Sequence, residues 1–193
     1  MKYVNDFIKE FEKYPAFTSR DAHLALMKLG GGSTYTERFL AMMTKSGKLY
    51  KITRGYYSVH DDPYVAGYAF APFYYGLATA LTQNNLWEQE TNPVIISATK
   101  AMPRTLRAFN TNISIRRIDK KMFFGYKEIY INKFPVPISN TEKTLIDIVY
   151  FNYKVEEYVY ENIANKIDRD VLGKYLKKCS ARLKTRVLSL LVH

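Results

Sequence analysis

Asp119, Lys120 and Lys121 supply the arrangement in this 193-residue chain that comes nearest to phosphodiester chemistry. Metal-dependent nucleases need carboxylates to hold Mg²⁺ and a lysine beside them, often as an acid, one spacer and Lys on a strand. The triplet follows a strand-like run, Ile113 to Ile118. No upstream carboxylate is clearly placed on a neighbouring strand, so no catalytic residue is assigned and a metal-dependent nuclease stands as the rival reading. His23, His60 and His193 are scattered, and Cys179 is the single cysteine, which excludes an internal disulfide and any CxxC metal site. No metal and no cofactor are therefore expected. Gly30 to Gly32 is not a phosphate loop, because no strand precedes it and no Gly-Lys-Ser or Gly-Lys-Thr follows. Glu142 and Asp147 suit a helix cap and a helix-surface or buried polar residue better than a general acid and base.

Recognition chemistry is better represented than catalysis. Ser33, Thr34, Tyr35, Thr36 and Arg38 put hydrogen-bonding side chains on one helical turn, which suits base edges in a major groove. Lys45, Lys48, Lys51, Thr53 and Arg54 follow as phosphate contacts, with Arg54 at the tip of a hairpin.

These side chains need elements to position them. Val4, Phe7, Ile8 and Phe11 predict a helix over Tyr3 to Tyr14, ended by Pro15. Thr18 or Ser19 caps a second helix with Ala22, Leu24, Leu26, Met27 and Leu29 as its apolar residues, and three glycines make the following turn. Thr34 and Glu37 read as a capping box opening a third helix to about Ser46, with Gly47 as its stop. Leu49 to Ile52 and Tyr56 to Val59 then form a hairpin. Three helices and a basic hairpin are the order of a winged helix-turn-helix, placed over residues 1–60.

The remainder, residues 61–193, is expected to be a small mixed β-sheet domain with C-terminal helices, so the fold class is α+β. Asp62 with Pro63 starts a helix to Ala71, and Phe73 to Gln83 reads as another. Val94 to Ser97, Ile113 to Ile118, Met122 to Phe124, Lys127 to Ile131 and Val136 to Ile138 are of strand length, with Gly125 marking a hairpin. Ser139 and Glu142 form a second capping box, opening a helix that buries Leu145, Ile146, Ile148 and Val149. Amphipathic helices fill the rest, and their polar faces carry Lys166, Arg169, Lys174, Lys177, Lys178, Arg182, Lys184 and Arg186.

The net charge of +11 favours a polyanionic partner. Residues 1–60 hold ten basic and five acidic side chains, 61–111 three and four, and 112–193 sixteen and nine. A neutral middle lies between basic ends. Asp6, Glu10 and Glu12 near the start do not suit a signal peptide, and Pro72 and four tyrosines interrupt the uncharged stretch after Asp62, so no membrane span is expected and the cytoplasm is the expected location. Winged helices also dock proteins, so an adaptor without salt-sensitive DNA binding is a third reading.

The succession STYTERFLAMMTKSGKLYKITRGYY, FYYGLATALTQNNLWEQ, NPVIISAT and PISNTEKTLIDIVYF resembles the antitoxin and transcriptional-regulator component of AbiE (type IV) abortive-infection toxin-antitoxin systems, and covers nearly the whole chain. The resemblance implies a repressor bound to inverted repeats of double-stranded DNA in its own promoter, in a phage-defence pair. It implies that the C-terminal domain counteracts, directly or indirectly, a nucleotidyltransferase-like toxin. It assigns DNA contact to Thr34, Tyr35, Thr36 and Arg38 of the third helix and Lys51, Thr53 and Arg54 of the wing.

Overall fold

The computed structural model describes residues 3–32, 34–89, 91–99 and 104–191, in an α+β fold with two sheets. The chain divides into two compact units, Met1–Ala71 with Leu106–Ile113, and Pro72–Thr105 with Ser114–His193.

In the first unit, α1 (Val4–Phe11) buries Val4, Phe7 and Phe11, the one face its spacing allows. A two-residue strand, β1 (Phe17–Thr18), leads into α2 (Ser19–Lys28). Thr18 Oγ1 accepts the Asp21 N–H at 3.1 Å and Asp21 Oδ2 accepts the Thr18 N–H at 2.8 Å, a reciprocal capping box. Gly30 has φ +86°, and a Cβ on Gly31 would stand 3.0 Å from the Leu26 carbonyl oxygen, so two of the three turn glycines are there for backbone reasons. The third helix, α3 (Tyr35–Lys45), follows, but the capping box expected from Thr34 and Glu37 is not made. Thr34 is already helical, at φ −84° and ψ −5°, whereas a capping hydroxyl needs an extended backbone to reach the first-turn N–H groups. β2 (Tyr50–Thr53) and β3 (Tyr56–Ser58) form the hairpin, and β1 joins it in the order β1-β3-β2, all antiparallel. Rings close the core: Phe11 stacks on Phe17 at 3.9 Å and Phe7 meets Phe39 at 5.0 Å. After it, Asp62 Oδ1 accepts the Tyr64 N–H and opens a run of 3-10 helix over Pro63–Phe70, tighter than the α-helix expected there.

The second unit carries most of a six-stranded mixed sheet of order β6-β7-β5-β4-β9-β8. Its strands are β4 (Phe73–Tyr75), β5 (Val94–Ser97), β6 (Arg104–Ala108), β7 (Thr111–Arg117), β8 (Tyr126–Ile131) and β9 (Phe134–Ser139). β4 pairs antiparallel with β5 and parallel with β9; β5 and β7 are parallel, β8 and β9 antiparallel. The helix expected over Phe73 to Gln83 is therefore β4 followed by α4 (Ala78–Gln83). Phe73, Tyr74 and Tyr75 are all buried, and a strand covered on both faces shows no alternation to distinguish it from a buried helix. The break falls at Gly76, where a Cβ would come within 2.4 Å of Ile96, and Leu77, at φ 51°.

Two other expectations change. The run Met122 to Phe124 is no strand; Lys120–Met122 form a 3-10 turn. Gly125 (φ +73°) does not turn the hairpin but precedes β8, where a Cβ would collide with Lys143 and Tyr175 at 2.8 Å; the β8–β9 turn is at Asn132, φ 54°. The expected Ser139–Glu142 capping box is replaced by Asn140, whose Oδ1 accepts the Lys143 N–H at 3.0 Å. Ser139 ends β9, with its hydroxyl on Thr144 at 2.8 Å, and Glu142 Oε1 accepts the Asp168 N–H at 2.9 Å, tying two helices together. The capped helix, α5 (Thr141–Tyr150), is buried from Glu142 to Val149. Around it pack α6 (Glu157–Lys166), α7 (Arg169–Leu176) and α8 (Ala181–Ser189), which contribute Ile163, Leu172, Leu176, Leu183 and Val187 to its core. No helix of the described residues is long and apolar enough to cross a membrane.

Burying α5 on every side buries its polar side chains too. Lys143 Nζ donates to Asp147 Oδ1 one turn on, and the Tyr74 hydroxyl donates to Asp147 Oδ2 at 2.9 Å. The side chains of the pair have no solvent exposure. Burial pushes the Asp147 carboxyl up from the ordinary range, against the pull of Lys143 and Tyr74, and pushes the Lys143 ammonium down, against the pull of Asp147. Burial, with the Asp147 charge added, drives the Tyr74 phenol well above its ordinary value.

A buried charge left without its partner costs more than the pair contributes. Lys143→Met or Asp147→Leu alone should destabilise the protein by about 3–5 kcal/mol, and the double variant should recover most of that loss in urea unfolding. The folded chain holds the Tyr74 proton more tightly than the unfolded chain, so that contribution is whole below the ordinary phenol value of about 10 and is lost as pH rises above it. Tyr74→Phe should be less stable at pH 7 by about 1–3 kcal/mol and show a shallower fall in stability above about pH 10.

Candidate nucleic-acid interface

α2, α3 and the β2–β3 hairpin of the first unit enclose a cleft of about 1100 Å³. The Ser19 N–H donates to the Gly55 carbonyl at 2.9 Å, fastening the hairpin tip to the start of α2. A side chain at Gly55 would be strained at its φ of +78°. The tie brings Arg54 and Arg20 to the same cleft, which Lys51 of β2 and Lys45 of α3 also line; all four are exposed. Glu37 is the one acid among the described residues there.

The residues expected to read bases do not all meet here. Ser33 lies outside the described residues. Thr34 is exposed on the cleft wall. Thr36 also lines it, although its side chain is buried with its hydroxyl 3.0 Å from His23 Nδ1. Tyr35 packs away from it, edge-on to Tyr3 at 6.3 Å and tilted on Phe39 at 5.5 Å. Arg38 is exposed on the next face of α3, outside the cleft lining. Among the expected phosphate contacts, Lys45, Lys51 and Arg54 line the cleft; exposed Lys48 and half-buried Thr53 do not.

Sequence reasoning passed over Ser19, Arg20 and His23 of α2, Glu37, Ala41 and Thr44 of α3, and Tyr57 of β3. Glu37, Ala41 and Thr44 recur at three- and four-residue spacing, a helical face visible in the sequence once α3 is placed. The Thr18–Asp21 box was the available signal for Ser19 and Arg20, since it puts both in the first turn of α2.

This geometry offers four cations around a concave wall with hydroxyls and one carboxylate. Such a surface can neutralise phosphates, and a carboxylate can accept from the cytosine amino group. In the second unit, Asp119 caps the 3-10 turn, its Oδ1 accepting the Lys121 N–H at 2.8 Å, and Arg116, Arg117, Lys120 and Lys121 are exposed around it. No group of three His, Cys, Asp or Glu side chains that could hold a metal ion occurs among the described residues. No protein-family model matches the chain, and no curated protein matches it.

The His23–Thr36 bond is a polar link between α2 and α3 within the cleft lining. Thr36→Val keeps the shape and removes the hydroxyl, so it should lower stability by about 1 kcal/mol; an unchanged urea midpoint would show that the bond contributes nothing.

Proposed function

We propose that residues 1–60 are a winged helix-turn-helix that binds double-stranded DNA through α3 and the β2–β3 hairpin. The observation that carries this is the cleft lined by Arg20, Lys45, Lys51 and Arg54 between a three-helix core and an antiparallel hairpin. The order of helices and strands and the antiparallel β1-β3-β2 sheet support it as well. In this reading α3 enters the major groove, Thr34, Glu37 and Arg38 meet base edges, and the hairpin tip lies on flanking phosphates.

We propose further that the chain is an autoregulatory repressor, acting in the cytoplasm without a cofactor. The four segments that resemble the AbiE antitoxin component support this, with binding at inverted repeats in its own promoter. The second unit then opposes the nucleotidyltransferase-like toxin of the pair.

Fluorescence anisotropy against a duplex from the gene's own upstream region and a scrambled duplex, over a range of salt, tests the reading. A preference of about a thousandfold or more, falling steeply with salt, supports a specific regulator; equal weak binding to both overturns it. Arg54→Ala should weaken both duplexes alike and flatten the salt dependence by about one unit, whereas Arg38→Ala should weaken the upstream duplex alone, by about 1–3 kcal/mol. Plasmid cleavage in Mg²⁺ that disappears in Asp119→Ala would replace the repressor with a nuclease.

A further inference from the structure

On the second unit two hollows adjoin, sharing Asp119 and Tyr150. One, of about 510 Å³, is walled by Lys121, Lys178, Arg182 and Arg186. The other, of about 1040 Å³, carries Arg117 and Lys120. All six cations are exposed, and none is in a salt bridge among the described residues, whose ion pairs are Lys13–Glu10 and Lys143–Asp147. Asp119 is the one acid among the described residues of either wall. Two of the cations are held in place without being neutralised: Lys178 Nζ sits 4.7 Å from the Phe124 ring centre, and Arg186 donates to Asn152 Oδ1 at 3.3 Å. Tyr150 stands where the hollows meet, 38% exposed, its ring braced edge-on by Phe151 at 4.9 Å.

We infer that this trough binds a single strand of nucleic acid, with phosphates on the two basic banks and an unpaired base stacked on Tyr150. Like charges converging on a hollow repel one another until an anion enters, and six cations over two joined hollows call for several phosphates. An aromatic ring between basic banks suits a strand whose bases are free; a duplex keeps its bases stacked on each other and out of reach. A mononucleotide is a poorer occupant, because sites for small ligands enclose most of the ligand and this trough is open to solvent. Asp119, shared by both hollows, disfavours phosphate in the middle and leaves the banks as its place. The site is separate from the cleft of the first unit and does not depend on that cleft binding DNA.

The test is anisotropy of the full chain with fluorescein-labelled rU10 and dT10, with unlabelled random duplex and pyrophosphate as competitors. Expected are binding to a single strand that neither competitor removes at equal phosphate concentration, and a salt slope that falls by about 1.4 in Lys121→Ala/Arg182→Ala, since each phosphate that is no longer neutralised lowers it by about 0.7. Tyr150→Ala should weaken binding about five- to a hundredfold, and Tyr150→Phe, which keeps the stacking face, should restore it. Tighter binding of rU10 or of dT10 decides between RNA and DNA. The inference is overturned by no binding to either strand, by equal displacement with duplex or pyrophosphate, by binding indifferent to Lys121→Ala/Arg182→Ala, or by loss in Arg54→Ala of the first unit instead. All these substitutions are at exposed positions, and circular dichroism checks that each variant folds.

Discussion

Asp147 accepts from Lys143 on one oxygen and from Tyr74 on the other, inside a core that excludes solvent from both members of the charged pair. The organisation of the second unit follows from satisfying that carboxylate. Lys143 and Asp147 lie one helical turn apart on α5, so the pair requires α5 to be helical; Tyr74 lies on β4, so the hydroxyl requires α5 to pack at one height against the sheet. A carboxylate with two donors fixes position in a way that apolar contacts, which tolerate sliding, do not. The packing then continues outward through Glu142, which holds the start of α7, and through Gly125, which lets the chain pass against the stem of Lys143.

The first unit is held by other means. Its core is a cluster of phenylalanine rings with no buried ion pair among the described residues; its polar bonds include the buried Ser58 hydroxyl on the Pro15 carbonyl, the Thr18–Asp21 box, the Ser19–Gly55 tie and the His23–Thr36 contact. The last two lie in the cleft lining. Polar side chains there are engaged in shaping the surface, which leaves the lysines and arginines extended toward solvent.

Much of this was legible from residue types because amphipathic spacing reports a solvent boundary. The first three helices and the basic hairpin alternate between core and water, and each was visible; α5 was visible from its apolar residues, but its burial on every side was not. β4 was hidden because all three of its residues are buried, which removes the periodicity. β6, with its sequence Arg-Thr-Leu-Arg-Ala, was missed for the opposite reason, too little apolar content to signal a strand. The capping errors have a local cause: Ser139 and Thr34 each carry a suitable hydroxyl, but Ser139 is committed to β9 and Thr34 is already helical. Asp147 illustrates what sequence withholds. Its spacing from Lys143 is ordinary for a helix surface, and the residue that makes it a core group, Tyr74, is seventy-three positions away. The cleft residues Arg20 and Glu37 were equally invisible as a pair, since α2 and α3 each present them only after the hairpin is fastened to Ser19.

The six-stranded sheet ends in β6 on one side and β8 on the other, and both outer strands carry exposed charge: Arg104 and Arg107 on the first, Lys127 and Glu128 on the second, with Lys133 in the turn beside it. An open strand edge is a template for the same strand of another molecule; charged side chains along it make that encounter costly, and the two arginines of β6 make it repulsive. Part of the chain's positive charge is thus an insurance against fibrous self-association, and tallying its lysines and arginines as ligand contacts overstates how many are free to serve recognition.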